Sequence, residues 1–201
     1  MILPLRETRD LGFLPEGKIH RRAQGDSPYD WARRGENYPI DRIMPVALAA
    51  TNGTITEPST LQAQFADPEA AIRYWTLFGL SQQPLDGITA QLPSIAALLN
   101  NEASSVQILA ATLLVRYGDD AIRTSALNHL AYWADPHGDH FKVMAALAAI
   151  DALNSLATPV HDLLREYPRK TTHLPHRRYQ HDVDKLIAHI QGAASNAPRL
   201  N

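Results

Sequence analysis

Three polar turns recur along this chain at one spacing. Asp67, Asn101 and Asp135 stand 34 residues apart. Each lies in a short polar turn (Ala66-Asp67-Pro68, Asn100-Asn101-Glu102, Ala134-Asp135-Pro136) and follows a bulky apolar residue, Phe65, Leu99 or Trp133, by two positions. A fixed period of this length marks one small supersecondary unit, repeated, that hides its apolar face only against its neighbours. After each turn the apolar residues fall on one helical stripe. The first stripe is Ile72, Trp75, Thr76, Gly79 and Leu80, and the second is Val106, Leu109, Ala110, Leu113 and Leu114. The third, read one residue later in register, is Phe141, Met144, Ala145, Ala148 and Ala149.

Leu77, Phe78, Ile108, Ala111, Val115 and Leu147 lie off those stripes. Helices apolar on more than one side need cover on more than one side, which stacked hairpins provide. Gly79, Ala110, Ala145 and Ala148 would let helix axes approach closely. Short helices are expected before the first two turns, at Ser59–Phe65 and Ser94–Asn100, and a longer one before the third, at Asp119–Trp133. Another is expected to start at an Asp41 cap, run through Ile43, Val46, Ala47 and Ala50, and stop at Asn52-Gly53. Pro45 fits only its first turn. A fourth, irregular hairpin is expected from Thr158–Tyr167 and Gln180–Gln191, joined by a basic loop. No run alternates convincingly as a strand. The fold class is all-α: a right-handed stack of antiparallel helical hairpins behind an extended N-terminal arm. Residues 1–40 form the arm, with one short helix around Glu16–Ala23; residues 41–192 form the repeat domain, and residues 193–201 a frayed tail.

The arm holds four of the 14 prolines together with Phe13, Leu14, Tyr29, Trp31 and Tyr38. Aromatics in a loop-rich segment pack against something. Either they cover the end of this domain's own core, or Phe13, Tyr29, Trp31 and Tyr38 contact a neighbouring domain.

Composition narrows the chemistry. Of 201 residues, 45% are apolar and 20% charged, and the net charge is −2. That supports a buried core and gives no overall field toward nucleic acid. The chain has no cysteine, so thiol nucleophiles, disulfides and thiolate-held metals are excluded. The longest apolar run, Val143–Ile150, is too short to span a membrane. Met1–Asp10 lacks a basic segment followed by an apolar one and does not read as a signal peptide. Glycines are scattered, and neither Gly-x-Ser-x-Gly nor His-Glu-x-x-His occurs.

Nine histidines invite a metal reading. His137-Gly-Asp-His140 offers two imidazoles beside Asp135 and Asp139, yet Asp139 has an ordinary capping task there. His173, His176 and His181 lie near prolines in a basic segment, and His129 and His161 sit on helices. Arg169, Lys170, Arg177 and Arg178 are candidate anion contacts, diluted by Asp162 and Glu166 nearby. Asp119-Asp120 stands at a helix start, where carboxylates favour the positive end of the dipole. The expectation is a non-enzyme with no catalytic, cofactor or metal residue of its own.

Asp-Pro-Glu-Ala-Ala-Ile-Arg-Tyr-Trp (Asp67–Trp75) resembles the second helix of HEAT-like repeats, which makes the expected stack a HEAT-like α-solenoid. The arm resembles the stretch following the catalytic domain in many bacterial sulfatases. The residues that carry this are Glu7-Thr-Arg-Asp-Leu-Gly-Phe-Leu-Pro-Glu16, Ser27-Pro-Tyr-Asp30 and Tyr38-Pro-Ile-Asp-Arg-Ile43. The resemblance covers about residues 5–155. It implies an accessory region of a sulfatase-like hydrolase, the parent using formylglycine and a calcium ion, and export to the periplasm or outside. The formylglycine motif, Cys/Ser-x-Pro-x-Arg, does not occur here; Ser195–Arg199 has the wrong spacing. No family site residue therefore carries over. Expected partners are the missing catalytic domain or another protein, with self-association and neither nucleic acid nor membrane. The alternative is a free-standing HEAT-like interaction scaffold.

Overall fold

The computed structural model describes residues 33–34, 38–55, 57–135, 138–166, 185–190 and 192. Every regular element among them is helical, and none is a strand. In chain order they are α1 (Ile40–Thr51), α2 (Pro58–Phe65), α3 (Ala70–Ser81), α4 (Leu85–Thr89) and α5 (Leu92–Ala97), which runs into a 3₁₀ turn, Leu98–Asn100. Then come α6 (Ser104–Tyr117), α7 (Asp120–Trp133), α8 (His140–Leu153), a second 3₁₀ turn, Asn154–Ala157, and α9 (Thr158–Glu166). Residues 185–190 are helical as well. The chain is all-α and divides into two compact units, Met1–Val106 and Gln107–Asn201.

In the first unit α1 and α2 both pack on α3. α3 buries Ala70, Ala71, Ile72, Arg73, Thr76, Leu77, Gly79 and Leu80, positions on several sides of a helix. Its partner α1 stops where the sequence says it should: Gly53 takes φ 68°, a left-handed value open to glycine, and Thr54 N–H donates to the Ala49 carbonyl at 2.9 Å. The start differs. α1 begins at Ile40 behind Pro39; Asp41 lies inside the first turn and makes no cap. Pro45 is therefore inside the helix rather than in its first turn, and its missing N–H leaves one intrahelical bond unmade. Gly79 sits where α3 meets α1. A Cβ there would stand 2.7 Å from Ile55 Cδ1 and 2.9 Å from Ala50 Cα.

Two of the polar turn residues, Asp67 and Asn101, close a tight turn just before a helix. Asp67 Oδ1 accepts from Glu69 N–H (2.8 Å), and Asn101 Oδ1 accepts from Ala103 N–H (3.0 Å). The two turns are tied together by Arg73, whose side chain is 7% exposed. It donates to the Asp67 carbonyl, to Asn101 Oδ1 at 3.3 Å, and to the Glu102 carboxylate. A forked guanidinium can meet three acceptors in different directions, which an ammonium on a flexible stem does less well. Arg42 also pairs with Asp67, from the α1 side.

In the second unit α7 packs against α8 and α9. Asp119 caps α7 by accepting from Ile122 N–H (2.8 Å). Arg123 turns back to donate to the Val115 and Gly118 carbonyls, both at 3.1 Å, closing the end of α6. Trp133 Nε1 donates to Gln107 Oε1 at 2.9 Å. Gln107 follows Asn101 by six residues, as Arg73 follows Asp67. Leu186 is half-buried and Ile187 and Ile190 are buried, the apolar face expected of the last helix.

Four expectations are corrected. The third stripe, shifted by one residue in the sequence reading, does not face inward: Phe141, Ala145 and Ala148 are exposed. α8 instead buries His140, Val143, Ala146, Leu147, Ile150 and Leu153. His140, Val143 and Leu147 are the positions that two unshifted 34-residue steps give from Ile72, Trp75 and Gly79. α8 is apolar nearly all round, so its own periodicity hardly distinguishes one face from another. Of the small residues, Gly79 stands at a close helix approach and Ala110 is buried, whereas Ala145 and Ala148 are exposed. α4 was not anticipated; it is a single turn that buries Ile88. Finally, the stretch His140–His161 is long and apolar enough, by length and composition, to cross a membrane. It exceeds the run Val143–Ile150 and is broken at Asn154 into α8, a 3₁₀ turn and α9.

Substituting Gly79→Ala should destabilise the fold by about 1–3 kcal/mol through overpacking, despite alanine's better helix propensity. Arg73→Ala should cost about 3 kcal/mol, because it strips charged hydrogen bonds from a buried place. Glu102→Ala, removing a half-exposed partner, should cost under about 1 kcal/mol. Urea unfolding of the three variants checks both the signs and the order.

Candidate interaction surface

Among the residues singled out in the sequence for contact with a neighbour, Tyr38 alone is described. Phe13, Tyr29 and Trp31, and the candidate anion contacts Arg169, Lys170, Arg177 and Arg178, lie outside the described residues. So do the expected helix at Glu16–Ala23, the basic loop, and residues 193–201.

Tyr38 enters α1 half-buried. It packs with Val46 and Trp75 on a buried cluster of Ile43, Ala71 and Ile72. Its main-chain N–H donates to the Arg34 carbonyl at 3.2 Å. This is the first of the two readings of the aromatics: Tyr38 covers the chain's own α1–α3 core. Burial raises its phenol above the usual tyrosine value, and the negative charge of Glu69 adds to the rise. Tyr74, on α3, is raised by burial.

Beyond Tyr38, α1 presents a second apolar stripe outward. Ile40, Met44 and Leu48 are 37%, 45% and 55% exposed and recur every fourth residue, so they line one face. Pro45 and Ala47 flank them, and the nearby Arg42 is committed to Asp67. The spacing of Ile43, Val46, Ala47 and Ala50 predicts only the core face of α1. The signal was present: two apolar stripes on a helix covered on one side leave one in water.

A smaller aromatic group lies at the α7–α8 turn. Tyr132, 71% exposed, meets Trp133 edge to face with centroids 5.1 Å apart, and Lys142 Nζ lies 5.6 Å from the centre of the Trp133 ring. Exposed Phe141 follows His140 on the same turn.

Asp139 of the histidine motif at this turn has a structural task. Asp139 Oδ1 accepts from Phe141 N–H (3.0 Å) and Lys142 N–H (3.2 Å), the capping task expected of it. His140 is buried at the helix start, and His137 lies outside the described residues. His161 is buried on α9, and His129 Nδ1 lies 3.1 Å from the Ser125 carbonyl oxygen. Among the described residues, no group of three or more His, Cys, Asp or Glu could hold a metal ion. Asp119 is a cap, and Asp120 pairs with Arg123 at 2.8 Å. Comparison of the chain with protein-family models, curated proteins and solved structures finds no match.

The tyrosines give a pH dependence with a definite sign. An unfolded phenol ionises near 10.0, and the folded Tyr38 and Tyr74 phenols ionise higher. Their contribution to stability is therefore complete below pH 10 and is lost as pH rises through the folded values. Melting temperature should fall across that alkaline range. Tyr38→Phe should flatten part of the fall and leave the neutral-pH value nearly unchanged, as read by circular dichroism melts beside an ultraviolet phenolate titration.

Proposed function

We propose that this chain is a non-catalytic interaction region, a HEAT-like stack of helical hairpins that serves as an accessory part of a sulfatase-like hydrolase. The observation that carries the interaction reading is the exposed Ile40–Met44–Leu48 stripe on α1. A contiguous apolar face in water marks a surface that gains free energy when covered by another protein. The repeat reading is supported by the paired reach of Arg73 to Asn101 and Glu102 and of Trp133 to Gln107. Each is a polar tie between one repeat and the next turn, made from equivalent positions. The sulfatase assignment is supported by the sequence resemblance of the arm and the first repeat. On this reading α1 lies toward the catalytic domain, and the region braces that domain, mediates its assembly or borders its substrate entrance.

The test has two arms. The coding region upstream should run in frame into a domain bearing the formylglycine motif; an unrelated or untranslated upstream region would remove the sulfatase half and leave a free-standing scaffold. Then the double substitution Met44→Asp/Leu48→Asp should weaken association with that domain at least about tenfold, each desolvated apolar anchor being worth 1 kcal/mol or more. It should leave the stability of this chain within about 0.5 kcal/mol, as expected for exposed positions. Unchanged association, measured by titration calorimetry, would exclude α1 as the contact.

A further inference from the structure

Among the described residues, Asn154 is the one non-glycine residue with positive φ, at 49°, and its ψ is −127°. It is exposed and follows the last residue of α8, where its N–H donates to the Asp151 carbonyl. Asparagine tolerates such a backbone better than most residues, but the conformation still stores strain.

The value of ψ has a chemical consequence. On the tetrahedral Cα of an L-residue, the Cβ lies a third of a turn from the backbone N about the Cα–C bond. A ψ of −127° therefore brings Cβ almost into eclipse with the main-chain N of Ser155. That eclipse is what a five-membered ring of Ser155 N and Asn154 Cγ, Cβ, Cα and C requires. In helical or extended backbone the same N is turned well away from the side chain. Ser155 is small and exposed, so little hinders the approach.

We propose that Asn154 is a site of spontaneous deamidation and isomerisation, promoted by the fold. The Ser155 amide N, its proton taken up by solvent base, attacks Asn154 Cγ. The new N–C bond forms, the Cγ–Nδ2 bond breaks, and the nitrogen leaves as ammonia. One water then opens the resulting cyclic imide at either carbonyl, giving an aspartyl or an isoaspartyl residue at position 154, with no change of oxidation state. Either product puts a carboxylate at the carbonyl end of α8, three residues beyond Asp151, where a negative charge is unfavourable. The isoaspartyl product also lengthens the main chain by one carbon between α8 and the 3₁₀ turn.

The chain contains its own control. Asn52-Gly53 is the sequence that hinders such an attack least, and Asn52 is also exposed. Its ψ is −1°, however, which holds the Gly53 N about a third of a turn away from Cβ. Local sequence therefore favours Asn52 and backbone geometry favours Asn154.

The experiment is to age the full chain in mildly alkaline buffer, folded and in urea. Both sites are followed by peptide mapping and by methyl transfer from an isoaspartyl methyltransferase. Asn154 should react about tenfold faster folded than unfolded, a small part of what orientation of reacting groups can supply. Asn52 should react faster unfolded. Asn154 reacting no faster in the folded chain would overturn the proposal. Asn154→Gly, which keeps the positive φ without cost, should melt at or above the parent temperature and lose only the position-154 product. A clear loss of stability in that variant would contradict the backbone conformation on which the chemistry rests.

Discussion

α3 has to be covered on several sides at once. Twelve residues long, it carries Ala70, Ala71, Ile72, Leu77 and Leu80 around much of its circumference, so one neighbouring helix cannot keep it from water. Burying each of its large aliphatic side chains is worth about 1.5–3 kcal/mol, which decides where α1 and α2 must lie. Close packing sets the tolerance of that arrangement. At Gly79 the approach to Ala50 and Ile55 leaves no room for even a methyl group, so the α1–α3 contact works at one separation.

The hydrogen bonds that polar groups make within this packing add order rather than bulk stability. The Thr76 hydroxyl returns to the Ile72 carbonyl of its own helix at 2.8 Å. Arg73 would be costly in a buried position if it were unpaired, and its fork instead joins the Asp67 turn to the Asn101 turn. The register between successive turns is thereby held by directional bonds, where apolar contact alone would allow sliding. The proposed interaction role follows from the same economy: once α1 has given Ile43 and Ala50 to the core, its remaining apolar side faces water.

Much of the helical plan was legible from residues. The 34-residue recurrence, the polar markers and the stop at Asn52-Gly53 placed α2, α3, α6 and α7 within a few positions, because caps and apolar periodicity are local signals. Other features were not legible for identifiable reasons. Asp41 reads as a cap, but α1 starts at Ile40 behind Pro39, next to Tyr38 packed on the Ile43–Ala71–Ile72 cluster. No local pattern marks Arg73 as a tie, since two of its acceptors lie 28 and 29 residues away. The buried face of α8 is not legible from its own periodicity, because alanine on every side erases the angular contrast that periodicity depends on. There the long-range repeat was the better guide.

The sequence by itself determined that this chain is helical, where most of its helices begin and end, and the absence of cysteine chemistry. Those properties depend on neighbours within a few residues. Tertiary structure alone decided which face of α8 is inside, that Gly79 is a contact point, that Arg73 is a tie, and that α1 keeps an apolar stripe in water. It also decided the backbone angle at Asn154 that aligns a side chain with the next amide. Each of these depends on groups brought together across the fold, and a buried face is defined only once its cover is in place.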